Sequence, residues 1–176
     1  MELPRMPGSV SDTPLVLEVL QQFRLIFGSM RQYFRLVEER CGMPGSHLWV
    51  LQEVQRQPGL GIGELAHRMG IHQSTCSLIV EKLVSSGRLE KGRGTDDRRR
   101  VGLLLTGSGA EVLARLPGPA EGILPEALSA IPEVVLKTLN INLSELIHTL
   151  SASDERFRQM PLAEMVRSVE QPGGAR

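Results

Sequence analysis

Residues 63–91 read GELAHRMGIHQSTCSLIVEKLVSSGRLEK, and the rest of the chain takes its meaning from them. Gly63–Met69 and Gln73–Ser86 each carry a helical pattern, and only Gly70, Ile71 and His72 separate them. Gly87 stands where a helix closes on a left-handed glycine. Along Gln73–Ser86, Cys76, Ile79, Val80 and Leu83 fall on one stripe suited to a core. Gln73, Ser74, Thr75, Ser77, Leu78, Glu81 and Lys82 lie outside it. The period then changes. Arg88–Gly92 and Val101–Thr106 (VGLLLT) read as short strands around the tip GRGTDDRRR, which is too long for a two-residue turn and should project.

Two short helices joined by a three-residue turn, followed by a hairpin with a cationic tip, give the outline of a winged helix-turn-helix. The outward residues of the second helix are small and polar at its N-terminal half. Gln and Ser/Thr side chains there can donate to and accept from base edges. Arg98, Arg99 and Arg100 suit phosphates or a narrow minor groove, where negative potential concentrates. The expected fold is mainly α with a small β-hairpin wing, a winged helix-turn-helix set between further helices at both ends of the chain.

Working outward, residues 13–40 place Val16, Val19, Phe23, Ile26, Met30, Tyr33 and Val37 at alternating spacings of three and four, with Leu20, Phe27 and Phe34 on a flank. Asp12 or Thr13 can cap this helix, and Pro14 suits its first turn. The stretch 41–45 breaks it. A second helix over residues 46–57 turns Leu48, Val50, Leu51 and Val54 toward a core and ends at Pro58-Gly59. After the hairpin, a helix from Gly107 to Leu116 is interrupted at Pro117-Gly118-Pro119 and resumes to Ala130, with kinks expected from the prolines. The last clear helix spans 132–150 and repeats the seam as Leu136, Leu139, Leu143, Leu146 and Leu150. A weaker helix is expected over 154–169. The organisation is therefore a flexible N-terminus (1–12), support and dimerisation helices (13–57), a DNA-binding lobe (58–106), C-terminal dimerisation helices (107–170) and a tail (171–176).

Composition narrows the classes. The chain has 176 residues and 19.4 kDa, with 41% apolar residues, enough for one ordinary domain or two small ones. Twenty basic and twenty acidic residues balance overall, but residues 62–106 hold eight basic against five acidic, and residues 107–176 hold six against nine. The basic excess thus falls on the helix-turn-helix and hairpin. Two cysteines exclude a disulfide scaffold. There is neither an apolar run of membrane-spanning length nor the apolar stretch of a signal peptide, so a cytoplasmic protein is expected.

The strings SHLWVL (46–51), GELAHRMGIHQSTCSLIVEKLVSSGRLEK (63–91) and DDRRRVGLLLT (96–106) resemble the multiple-antibiotic-resistance regulator (MarR) family of bacterial transcription factors, over residues 46–150. The last string fits that family's wing pattern through Asp97, Arg99, Leu105 and Thr106. The resemblance implies that Asp97 braces Arg99, that Arg99 enters a minor groove, and that Ser74, Thr75 and Ser77 sit at recognition positions. It implies a homodimer built from the first and last helices, here Val16, Val19 and Phe23 with Leu136, Leu139, Leu143, Leu146 and Leu150. The partner is then a pseudo-palindromic double-stranded operator, with a repressor released by a small ligand as the expected mode. A small aromatic or anionic ligand, bound between platform and lobe, would meet Met30, Phe34, His47 and Trp49. Two departures stand out: Leu78 where Arg or Lys is common, and Arg88 where an apolar residue is usual.

Other classes are a winged-helix adaptor that binds protein rather than DNA, and a thiol-based sensor using Cys41 at a helix end. Cys76, on the core stripe, reads as a packed small hydrophobe. His47, His67, His72 and His148 have no metal-ligand spacing among themselves or with the cysteines. Nucleophile elbows, phosphate loops and zinc-protease strings are missing, so neither enzyme nor cofactor is expected.

Overall fold

A computed structural model of the protein describes residues 14–93, 101–150 and 154–168. In chain order these form α1 (Pro14–Cys41), α2 (Gly45–Arg56), α3 (Ile62–Met69), α4 (Gln73–Ser85), β1 (Leu89–Arg93), β2 (Val101–Leu105), α5 (Gly107–Leu113), α6 (Ile123–Ala130) and α7 (Glu133–Thr149). A 3-10 turn (Glu155–Gln159) and α8 (Leu162–Ser168) follow.

The 28 residues of α1 make a rod of about 42 Å at 1.5 Å per residue. Its two halves differ. Met30, Phe34, Val37 and Cys41 are buried, whereas Val16, Val19, Phe23, Ile26 and Phe27 stand exposed. Gly42, at φ +68°, ends the helix by donating its N–H to the Glu38 carbonyl at 2.9 Å.

The core lies beneath α2, α3 and α4. Leu48, Val50, Leu51 and Val54 are fully buried and meet Leu65, Ala66 and Met69 of α3 and Cys76, Ile79, Val80 and Leu83 of α4. Each such Leu or Val is worth about 1.5–3 kcal/mol when taken out of water, so this layer dominates the lobe's stability. Leu89 and Leu103 close it from the hairpin side.

β1 and β2 pair antiparallel, with Leu89 opposite Leu105 and Gly92 opposite Gly102. A third segment joins their edge. Gly59 N–H donates to Leu103 O at 2.8 Å, and Leu103 N–H donates to Leu60 O at 2.9 Å. The approach is close enough that a Cβ on Gly102 would lie 2.3 Å from the Gly59 carbonyl oxygen.

Two expectations change. The helix starting at Gly107 stops at Leu113, and residues 114–122 run irregularly before α6. Pro117 and Pro119 lack N–H donors and disfavour helix at the residues before them. The segment is fastened instead by Tyr33, whose hydroxyl donates to the Pro119 carbonyl at 2.7 Å, and by buried Ala120. The single helix expected over 154–169 is divided. Asp154 caps the 3-10 turn by accepting from Arg156 N–H at 3.0 Å. Met160 is forced extended by the following Pro161, after which α8 begins.

α7 contains no buried residue. Among the described residues no helix is long and apolar enough to cross a membrane.

Candidate nucleic-acid interface

The joint between α3 and α4 follows from one glycine and one leucine-sized anchor. Gly70 adopts φ +63° and donates its N–H to the His67 carbonyl at 3.1 Å, while Ile71 N–H reaches back to Ala66 O at 3.1 Å. Ile71 is buried and pins the turn. His72 is extended, and its carbonyl accepts from Cys76 N–H at 3.0 Å to start α4.

On α4 the stripe Cys76, Ile79, Val80 and Leu83 is buried, as its spacing requires. Gln73, Ser74, Glu81 and Lys82 are exposed, and Thr75 and Ser77 are half-buried at the edge of that face. Leu78 is 60% exposed in the middle of it. An exposed leucine between Ser74 and Lys82 offers an apolar contact of the kind a thymine methyl accepts.

The base of the wing is held by residues whose role the sequence pattern did not assign. Thr106 caps α5 by accepting from Gly109 N–H at 3.1 Å, and its hydroxyl donates to the Gly87 carbonyl at 2.8 Å. Ser108 donates to the same carbonyl at 2.9 Å. A Cβ on Gly109 would strike the Arg88 carbonyl oxygen at 2.4 Å. Arg88, the departure noted at the start of the wing, thus serves through its backbone: its N–H donates to Leu83 O at 2.9 Å and its carbonyl accepts from Thr106 N–H at 3.2 Å. The signal was present as a Thr three residues before a Gly at a helix start. Asp97, Arg98, Arg99 and Arg100 lie outside the described residues.

A second unassigned group ties α2 to α3. Glu53, buried on α2, accepts from Arg56 at 2.7 Å and pairs with Arg68 of α3 at 3.8 Å, while Arg68 also pairs with Glu64 at 3.2 Å and donates to Gln57. Arg56 in turn lies 3.8 Å from Glu121 in the irregular segment.

Of the four candidate ligand contacts, only Phe34 lines the cleft between α1, α2 and α8. Phe34 is wedged against Gly45, Gly122 and the α8 residues Ala163 and Val166, with Tyr33 edge-on at 5.9 Å. The cleft beside it measures about 20 Å³ and is lined by Arg31, Arg35, Glu38 and Pro44 among others, not by Met30, His47 or Trp49. Met30 is buried, His47 is half-buried, and Trp49 packs half-buried on the main core.

Cys41 is 4% exposed, which counts against the alternative of a thiol sensor at the helix end. Burial pushes its thiol pKa up, against the opposing pull of Arg115 and Arg40, so the reactive thiolate is disfavoured. Burial also raises the Cys76 thiol, to about 11.

Five of the eight proposed dimer residues line one groove. Val16, Val19 and Phe23 of α1 and Leu146 with Leu150 at the end of α7 line a wholly apolar open groove of about 570 Å³, completed by Leu15 and Leu20. Leu136 is exposed, and Leu139 and Leu143 are half-buried.

Comparison with known proteins agrees with this geometry. Residues 42–100 match the model of the MarR family. Over 88 residues the chain is 30% identical to the putative transcriptional regulatory protein for the hcr operon of Thauera aromatica, covering 50% of this chain and 53% of that protein. Over 95 residues it is 26% identical to the HTH-type transcriptional repressor MdtR of Bacillus subtilis, covering 54% and 61%. The chain therefore spans between half and three fifths of the curated relatives it matches. The fold is shared with the S. aureus MepR–DNA complex, at TM-score 0.52 and 19% identity over 81% of this chain and 100% of that one. It is also shared with a MepR-like protein complexed with pseudoligands, at TM-score 0.50 and 17% identity over 74% and 92%. The helix-turn-helix and the first strand of the hairpin fall inside the matched stretch, so over residues 42–100 this chain is similar to the MarR family, and its fold is that of winged helix-turn-helix proteins.

Proposed function

We propose that two copies of this chain pair through α1 and α7 and regulate transcription by reading a pseudo-palindromic operator in duplex DNA. The observation that carries the reading is the division of α4, whose apolar stripe is buried while Gln73, Ser74, Lys82 and Leu78 face outward. Two such helices would enter successive major grooves about 34–36 Å apart. Arg98, Arg99 and Arg100 would hold the flanking backbone or minor groove, with Asp97 bracing Arg99.

The curated relatives are regulators by name, one of them a repressor, and a structure sharing the fold is titled as a DNA complex. These support repression as the mode. Release by a small ligand would require different affinities for two spacings of the reading helices, since a ligand shifts an equilibrium only by that difference.

Fluorescence anisotropy against the DNA flanking the chain's own gene tests the reading. Binding should weaken steeply with salt, and Arg99→Ala should reduce the salt slope by about 1. Ser74→Ala should relax discrimination between operators and leave that slope in place. Retention that ignores salt, or none at all, would contradict the proposal.

A further inference from the structure

The last described segment of the chain returns to touch three elements at once. At its start, Gln159 offers its backbone carbonyl to His72 N–H at 3.3 Å, and His72 is the residue that opens α4. In its middle, Ser46 in the first turn of α2 donates its hydroxyl to the Glu164 carboxylate. At its end, Ala163 and Val166, three apart and therefore on one face of α8, pack on the ring of Phe34 from α1.

These contacts are fitted closely. A Cβ on Gly45 would lie 2.8 Å from Phe34 Cδ1 and 3.3 Å from the Cβ of Ala163, and one on Gly122 would lie 2.7 Å from Phe34 Cζ. The void left between α1, α2 and α8 is about 20 Å³, room for about one water. Ser46 is buried at 1% exposure, so its hydroxyl depends on a protein partner, and Glu164 supplies it. The negative carboxylate also lies at the N-terminal end of α2, where the helix dipole favours it.

We propose that residues 154–168 are an intramolecular strap that fixes the helix-turn-helix lobe on the α1 rod, by closing the α1–α2 cleft with α8 and pinning the α3–α4 turn through Gln159. The attachment of the strap does not depend on what the lobe reads. Its consequence for DNA rests on the proposed function: the strap sets the angle at which α4 is carried by the platform, and any molecule entering the cleft has to displace α8.

Amide hydrogen exchange on the full-length protein tests this without DNA, so its outcome is separable from that of the DNA-binding reading. Glu164 and Met165 N–H, both donated to the Pro161 carbonyl, report on α8, and His72 N–H reports on the turn. Val166→Asp puts a charge into the Phe34 contact. Exchange should accelerate at least about tenfold at Glu164 and Met165 and also at His72, in a different element, while Leu51 and Val80 keep their native protection. Should Val166→Asp lose protection throughout, Glu164→Gln keeps the shape and removes the charge, and should speed exchange at the same amides by about threefold. His72 holding its native rate while α8 exchanges freely would overturn the strap. So would native Glu164 and Met165 exchanging at the rate of an unstructured peptide.

Discussion

In the helix-turn-helix lobe the apolar stripe of α4 is at most 5% exposed, whereas on α7 the leucines at 136, 146 and 150 stand 37–55% exposed and nothing is buried. The same spacing of three and four produced both surfaces. In the lobe, α2, α3 and the hairpin cover the stripe, so the chain completes that core itself. On the platform, the N-terminal half of α1 and α7 present an apolar side that the other described residues leave exposed. Contiguous exposed apolar surface of this extent marks an interaction site in a soluble protein. The stability of the lobe rests on its own buried core and the proposed pairing rests on the platform, so each can be broken separately.

The largest effect belongs to the lobe core. Leu51→Ala removes a fully buried side chain and should cost about 2–5 kcal/mol in chemical denaturation, while the assembly state of the folded fraction stays native. Gly102→Ala forces a Cβ against the Gly59 carbonyl and should cost about 1–3 kcal/mol, seen as a lower thermal midpoint. Thr106→Ala removes the α5 cap and the link to Gly87, a loss of about 1 kcal/mol by the same assay.

A pH-dependent effect sits at the junction of the two regions. Burial, with help from Glu121, Glu126 and Cys41, pushes the Tyr33 hydroxyl up to about 12 from its ordinary 10. The folded protein therefore keeps a proton that the unfolded chain gives up above pH 10. That stability is complete below pH 10 and falls away as pH rises toward 12. Denaturation followed across pH 9–12 should show this fall, and Tyr33→Phe should flatten it. A slope unchanged by the substitution would remove Tyr33 from the account.

The lobe was legible because its signals are local. A stripe such as Cys76, Ile79, Val80 and Leu83, or a glycine at the end of a helix, is written within a few residues of the structure it produces. The irregular run after Leu113 was legible as prolines, though not as to where the chain would go next, whereas the break at Pro161 was read through as one helix. Phe34 shows the limit. Its neighbours Ala163 and Val166 come from the far end of the sequence, and no periodicity in α1 announces them.

The central claim is that the uncovered platform joins two chains so that two α4 helices act together on one duplex. Sedimentation of the protein alone and with an operator duplex, for the native chain and for Leu146→Glu, tests it most directly. The account predicts twice the 19.4 kDa chain mass for the native protein, two chains per duplex, and a folded single chain with much weakened DNA binding for the variant. A native protein sedimenting as one chain, or a Leu146→Glu variant that still pairs and binds as before, would contradict it.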